Sequence, residues 1–281
     1  MRLLHVPPRD GRPMLLFCHG SMATMQQYDG QLAHFVSEGY GVVAWDWLGC
    51  GESAAPEDWY AYAWAELFAD VRAVFDTYCA AADAPVVAIG HSAGTGMCVQ
   101  LAAALAADAA AAAEGGGAAV KTLGGLVLLA GAASMDSSAA GIFALPVFVL
   151  DWIRPMLSSG FADRALHPST ASSTKPEHVR LMARVEQANG ANAMHVCKAY
   201  YRQLSWPPPE AFAGVRMPCL VVHGVADGLL PLEKGRALAE ALQGCAAGGA
   251  EFHALEEASH QVMMEQTEQV NGLMAAFLAK L

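Results

Sequence analysis

Residues 84–94 read "APVVAIGHSAG", an apolar run that ends in glycine, histidine, serine, alanine and glycine. "APVVAI" has the length and β-branched content of a strand buried on both faces. A helical pattern begins at about residue 94. Gly-x-Ser-x-Gly set between a buried strand and a helix describes a sharp turn that lifts the serine hydroxyl clear of the chain, with glycines where side chains would clash. The new helix also points its free N–H groups and positive dipole end at that serine. Taken alone, the five letters fit an ordinary Gly/Ser turn. The strand before them and the helix after them favour a nucleophile elbow at Ser92.

Working outward, similar short apolar runs occur at 14–20, 40–46, 123–131, 217–224 and 250–257, and most of them end in glycine or a polar residue. Helical patterns at about 27–38, 60–82, 94–107, 231–243 and 261–280 alternate with them. Strand–helix alternation with continuously apolar strands predicts an α/β fold with a mostly parallel, doubly wound sheet. The alternation lapses between about 132 and 212, where Pro146, Pro155, Pro168 and Pro176 and the tract "HPSTASST" punctuate short helical pieces. We read 1–131 and 213–281 as the core and 132–212 as an inserted helical cap. The Ala/Gly segment 102–120 reads as a helix end running into a flexible expansion loop.

A serine needs a base to take its proton, and the base needs an acid to orient it. After "CLVVHG" the chain continues "VADGLLP", which puts Asp227 in the loop beyond a strand. After "FHALEE" comes "ASHQ", which puts His260 in the loop beyond the last strand. The order Ser92, Asp227, His260 is that of one of the known triad arrangements. Asp136, beyond the strand at 123–131, is the alternative acid. "HGSM" at 19–22 follows the first clear strand, so the amides of Ser21 and Ala93 are expected to form an oxyanion hole. "DWLGCGES" at 46–53 lacks the lysine and spacing of a phosphate loop and reads as a wall beside the pocket.

Composition narrows the classes. Acidic residues outnumber basic ones 27 to 16, for a formal charge of −11, and no basic stripe is present to neutralise phosphates, so nucleic acid is not expected as a partner. Seven cysteines without paired spacing suggest reduced thiols. The first residues have no apolar leader, and no run reaches the roughly 18 uninterrupted apolar residues of a membrane span, so a cytoplasmic location is expected. The apolar run 139–150, broken by Pro146, suits shielding a pocket or transient contact with a lipid surface.

These stretches together resemble the α/β-hydrolase superfamily over nearly the whole chain outside the cap. "SSGFADRAL", "LVVHGVADGLLPL" and "EEASHQVMMEQTEQVNGLMAAFL" resemble more narrowly the α/β-hydrolase-domain-containing subgroup numbered eight in mammals. The resemblance implies Ser92, Asp227 and His260 as the triad. Two departures stand out: Met22 occupies the fourth position of a loop that is often His-Gly-x-Gly, and Glu265 stands where relatives linked to lysophospholipid acyl transfer carry aspartate.

The expected activity is hydrolysis of carboxylic esters of acyl or aromatic substrates through an acyl-enzyme on Ser92, with no cofactor and no metal. The substrate is expected to meet Met22, His91, Phe148 and Trp152. Thioester, amide and acyl-transfer chemistry use the same triad. A non-catalytic ligand receptor on the same fold is the alternative from a different class.

Overall fold

The structure is a computed structural model that describes residues 1–135, 141–242, 244 and 249–281. Its seven strands are β1 (Leu3–Val6), β2 (Met14–Cys18), β3 (Gly41–Trp45), β4 (Val86–His91), β5 (Gly125–Leu129), β6 (Cys219–Gly224) and β7 (Glu251–Leu255), in the order β1-β3-β2-β4-β5-β6-β7. All neighbours are parallel except β1, which pairs antiparallel with β3. Every residue of β2 to β6 is buried, as expected of strands covered on both faces.

Alternate residues feed two layers, because successive strand side chains point to opposite faces. Leu16, Val43, Ala88, Leu128 and Val221 pack under α2 (Trp64–Tyr78) and α3 (Ala93–Glu114). Leu15, Val42, Ile89, Val127 and Val222 pack under α1 (Asp29–Ser37) and α11 (Thr267–Leu278). The order of strands reverses between β2 and β4, and the crevice outside the carboxyl ends at such a point is where α/β sheets bind ligands.

Between β5 and β6 come α4 (Val147–Ala165), α5 (Pro168–Ala171), α6 (Pro176–Gly190), α7 (Met194–Gln203) and α8 (Pro209–Ala213). The prolines that break the sequence pattern mostly start helices. Pro146 caps α4, while Pro168 and Pro176 open α5 and α6, where a missing N–H costs nothing. Pro155 alone lies inside a helix. Beyond β6, α9 (Leu232–Ala241) packs on the sheet, and the short α10 (Val262–Glu265) precedes α11.

One expectation needs correction. Helix α3 continues to Glu114 instead of ending near residue 107, because alanine is the strongest helix former and the run holds until three glycines follow it. That makes α3 long and apolar enough to cross a membrane by length and composition, yet residues 93–99 are all buried against the sheet, as in a core helix.

Gly94 lets α3 cross β2, since a Cβ there would run into the Cys18 carbonyl, whereas a Cβ on Gly160, inside α4, meets nothing within 4 Å. Gly94→Ala should therefore lose roughly 1–3 kcal/mol to overpacking, and Gly160→Ala should gain about 0.5–1 kcal/mol from helix propensity. Urea unfolding of the two variants beside the parent checks both signs.

Candidate active site

Ser92 sits at φ 51° and ψ −119°, a left-handed backbone that non-glycine residues rarely adopt. Its N–H donates to the Leu129 carbonyl (3.0 Å), and its own carbonyl accepts from the Thr95 hydroxyl (2.6 Å) and the Thr95 N–H (3.0 Å). The bonds to β5 and to the first turn of α3 fix the turn at both ends.

The loop after β2 lies directly on this turn. A Cβ on Gly20 would be 2.7 Å from His91 Nδ1 and 3.2 Å from Ser92 Cβ, so only a glycine backbone passes so close. Among the described residues, the N–H groups of Ser21 and Ala93 have no partner within the chain. Met22 is left-handed at φ 53° and its carbonyl is held by Asn192 Nδ2 at 2.6 Å. The Ser21 hydroxyl is bonded to the Tyr200 hydroxyl of α7 at 2.9 Å.

His19 braces the loop from beneath. The Trp47 N–H donates to Nε2 (2.9 Å), which leaves Nδ1 to carry the proton and donate it to the Gly20 carbonyl (2.8 Å). Burial pushes its pKa down to about 4, so the ring is neutral at physiological pH. Buried Asp46 ties two loops together through the Met25 N–H (2.8 Å) and the Glu52 N–H (3.1 Å). The stretch 46–53, expected to form a wall of the pocket, lines no part of the cavity and acts as this brace.

On the other side, His260 Nδ1 donates to Asp227 Oδ2 at 2.8 Å. The second oxygen, Asp227 Oδ1, accepts the N–H groups of Leu229 (2.9 Å) and Leu230 (2.8 Å). Burial alone would raise the carboxyl's pKa, but the His260 ring and these donors outweigh it and hold the group below the usual aspartate value. His223 donates from Nε2 to the Leu230 carbonyl (2.8 Å) and lies 3.4 Å from Asp227 Oδ2, so it steadies the same loop. Asp136 lies outside the described residues.

Ser92 and His260 open into one cavity of about 790 Å³, roofed by the helices between β5 and β6. Ser21, Met22 and His91 line it as well. The His91 ring is committed elsewhere: Nε2 donates to the His260 carbonyl at 2.9 Å, and burial together with the nearby His260 drives its pKa to about 3. It holds the His260 loop from behind. Phe148 and Trp152 are corrections to the sequence reading. They are 75% and 83% exposed on the outer side of α4, and the cavity is met instead by Phe143, Leu157 and Phe161. Residues four apart share one helical face, and the buried face of α4 is the one that carries Leu150 and Ala162.

Glu265 takes a role not foreseen in the sequence. Its two oxygens accept the N–H groups of Ser259 (2.8 Å) and His167 (2.7 Å), clipping the His260 loop to the start of α5. The glutamate–amide pairing bridges 98 residues, so no local pattern announces it. The six described cysteines are free and buried, and Cys245 lies outside the described residues.

A sheet of this order, with a serine turn beyond β4 at its switch point, defines an α/β hydrolase. Residues 9–267 match the family described as "Serine aminopeptidase, S33", and the chain belongs to it. It is 30% identical over 268 residues to Protein ABHD8 of Mus musculus, a match covering 94% of this chain and 55% of that protein. The chain thus spans about half the length of the curated relatives it matches. In structure it is similar to an esterase from Exiguobacterium antarcticum (TM-score 0.74, 17% identity, covering 99% of this chain and 94% of that one). It is likewise similar to the enol-lactonase of Burkholderia xenovorans LB400 (TM-score 0.75, 20% identity, 99% and 96%). At these identities the two structures speak for the fold alone.

The neutral histidines have a measurable consequence. Below about pH 6.5 the unfolded chain protonates His19 and His91, whereas the folded chain refuses those protons until about pH 4 and about pH 3. Stability must therefore fall as pH drops through that window, by about 1.4 kcal/mol per pH unit for each ring. Urea unfolding at about pH 7 and about pH 5.5 should show the loss, and His19→Gln should show a shallower slope than the parent. Equal slopes would mean His19 is protonated when folded.

Proposed function

We propose that this chain is a serine hydrolase that cleaves carboxylic esters of acyl or aromatic substrates through an acyl-enzyme on Ser92. The observation that carries this reading is the 2.8 Å bond from His260 Nδ1 to a buried Asp227, which leaves His260 Nε2 unprotonated in the cavity that also holds Ser92. In this reading the Ser92 Oγ attacks the ester carbonyl carbon while its proton passes to His260 Nε2. The resulting imidazolium is stabilised by Asp227 and the oxyanion by the Ser21 and Ala93 N–H groups. His260 returns the proton to the departing alcohol. Water then attacks the acyl-enzyme, gives its proton to His260, and the carboxylic acid leaves as Ser92 regains its hydrogen.

The positions of the supporting groups favour hydrolysis over acyl transfer. Glu265, where relatives linked to acyl transfer carry aspartate, is engaged with two main-chain amides, and that departure weighs against transfer. A receptor without turnover has no use for a base with its own orienting acid, so covalent labelling by a fluorophosphonate separates these classes.

Ser92→Ala should lose probe labelling and lower kcat/KM by about 10⁴–10⁶ while unfolding at the parent's urea midpoint. Asp227→Asn should lower kcat by roughly 10⁴ with little change in KM, because the wrong imidazole tautomer is then favoured. Activity of Ser92→Ala above a tenth of the parent's would sink the assignment.

The cavity's apolar walls carry a second expectation. With p-nitrophenyl esters from acetate to decanoate, kcat/KM should rise with chain length by up to about 0.8 kcal/mol for each methylene buried. Phe143, stacked 4.4 Å from the Tyr201 ring at the cavity, should matter to that profile, and exposed Phe148 should not. A flattened profile in Phe143→Ala beside an unchanged one in Phe148→Ala is the expected pair.

A further inference from the structure

We propose that the ester substrate carries an anionic group, a carboxylate or a phosphate, and that Arg164 with Arg184, both exposed residues of the lining, receives it on the solvent side of the cavity. The proposal rests on the hydrolase reading above and deepens it by naming the substrate class.

The chain has 27 acidic residues against 16 basic ones, so a cavity of about 790 Å³ would ordinarily collect several carboxylates. Among the described residues that line it there is neither aspartate nor glutamate, while Arg164 and Arg184 both contribute. His91 adds no charge beside the serine, since burial keeps it neutral and its Nε2 is bonded to a carbonyl. The two arginines are therefore the permanently charged residues of the lining; both are exposed to solvent, and they have the same sign.

Their surroundings differ in a useful way. Arg164, in the last turn of α4, donates from Nε to the Gly160 carbonyl (3.0 Å), and among the described residues no carboxylate pairs with it. Its two terminal nitrogens are left with the planar fork of donors that fits a carboxylate or phosphate. Arg184, on α6, is fixed by Asp29 (2.8 Å) and by the Gln26 carbonyl (3.0 Å), both through Nη2. It is partly compensated by that half-exposed pair, whereas Arg164 has no such partner among the described residues, so Arg164 should carry the larger share. A cation-bearing ester would meet two like charges and no counter-charge in this lining. The apolar area around Phe143 and Phe161 would hold the chain linking the anion to the scissile carbonyl.

The test compares matched esters: the mono-p-nitrophenyl ester of glutaric acid, its methyl ester, the corresponding phosphonate, and a trimethylammonium counterpart of similar length. Charge-assisted hydrogen bonds predict that the parent favours the better of the two anions over the methyl ester by about tenfold or more in kcat/KM, with the cationic ester last. The larger of the carboxylate and phosphonate ratios identifies the anion. Arg164→Met should bring that ratio close to one, Arg184→Met should lower it less, and Arg164→Lys should restore part of it. The ratio is the readout because a general loss of activity cancels from it. A parent ratio at or below one, or a ratio unchanged in both methionine variants, overturns the proposal. Labelling of Ser92 by a neutral fluorophosphonate in the same preparations separates the failures. Labelling without anion preference defeats this inference alone, and absence of labelling defeats the hydrolase reading and this inference with it.

Discussion

Ser92 held at φ 51° at the end of β4 is the constraint around which the rest of the site is arranged. A left-handed serine costs on the order of 1–3 kcal/mol, and such a conformation persists only where its surroundings over-determine it. Here β5 supplies an acceptor for its N–H, Thr95 supplies two donors to its carbonyl, and the glycine at 94 lets α3 turn away over the Cys18 carbonyl. Those requirements demand that β2 and β4 be neighbours, which is the point where the strand order reverses. The loop leaving β2 is thereby brought against the serine, so that Ser92 and Ser21 share one crevice. One strained residue and the sheet order are mutually dependent.

A second regularity lies at the strand ends. His19, Asp46, His91 and His223 stand at or just beyond the carboxyl ends of β2, β3, β4 and β6, and all four are buried. Each satisfies main-chain groups of a loop that would otherwise be free to move: Gly20 and Trp47 for His19, Met25 and Glu52 for Asp46, His260 for His91, Leu230 for His223. Buried polar side chains must find such partners, and loops need them to hold a reactive group in place. For His19 and His91, neutrality lets this be done without adding positive charge beside the serine.

This explains what could be read from the sequence and what could not. Strands buried on both faces write themselves as unbroken apolar runs, and residues in the loops just after them converge because parallel strands all end on one edge. Ser92, Asp227 and His260 were legible for that reason. The direction of a helix face was not. Phe148 and Trp152 are as apolar as Phe143 and Phe161, and only the packing of α4 on α6 and α7 decides which of them turn inward. Asn192, 170 residues from its Met22 partner, and Glu265, 98 residues from His167, act over separations that no local pattern records. Asp46 was visible as a polar residue ending an apolar strand, but its role as a brace depends on loops that follow and precede it in space.

The same long-range bonds bear on how the roof over the cavity can move. The insertion, which reads in the sequence as a proline-punctuated cap, is fastened to all three loops that carry Ser21, Asp227 and His260. Asn192 and Tyr200 grip the loop of Ser21 and Met22. At the end of α4 the Arg164 carbonyl accepts from the Gly228 N–H (3.2 Å) and the Ser259 hydroxyl (3.1 Å), and the Ala165 carbonyl accepts from the Gln261 N–H (3.0 Å). Gly228 follows Asp227, and Ser259 and Gln261 flank His260, so a roof moving as one body would pull on Asp227 and His260 together. The stretch that carries exposed Ile142, Leu145, Phe148 and Trp152 is held from within the insertion instead, by Lys198 Nζ on the Ala144 (3.3 Å) and Leu145 (2.6 Å) carbonyls. A ligand seated against α4 and α6 then bears on the elements that position Asp227, His260 and Ser21.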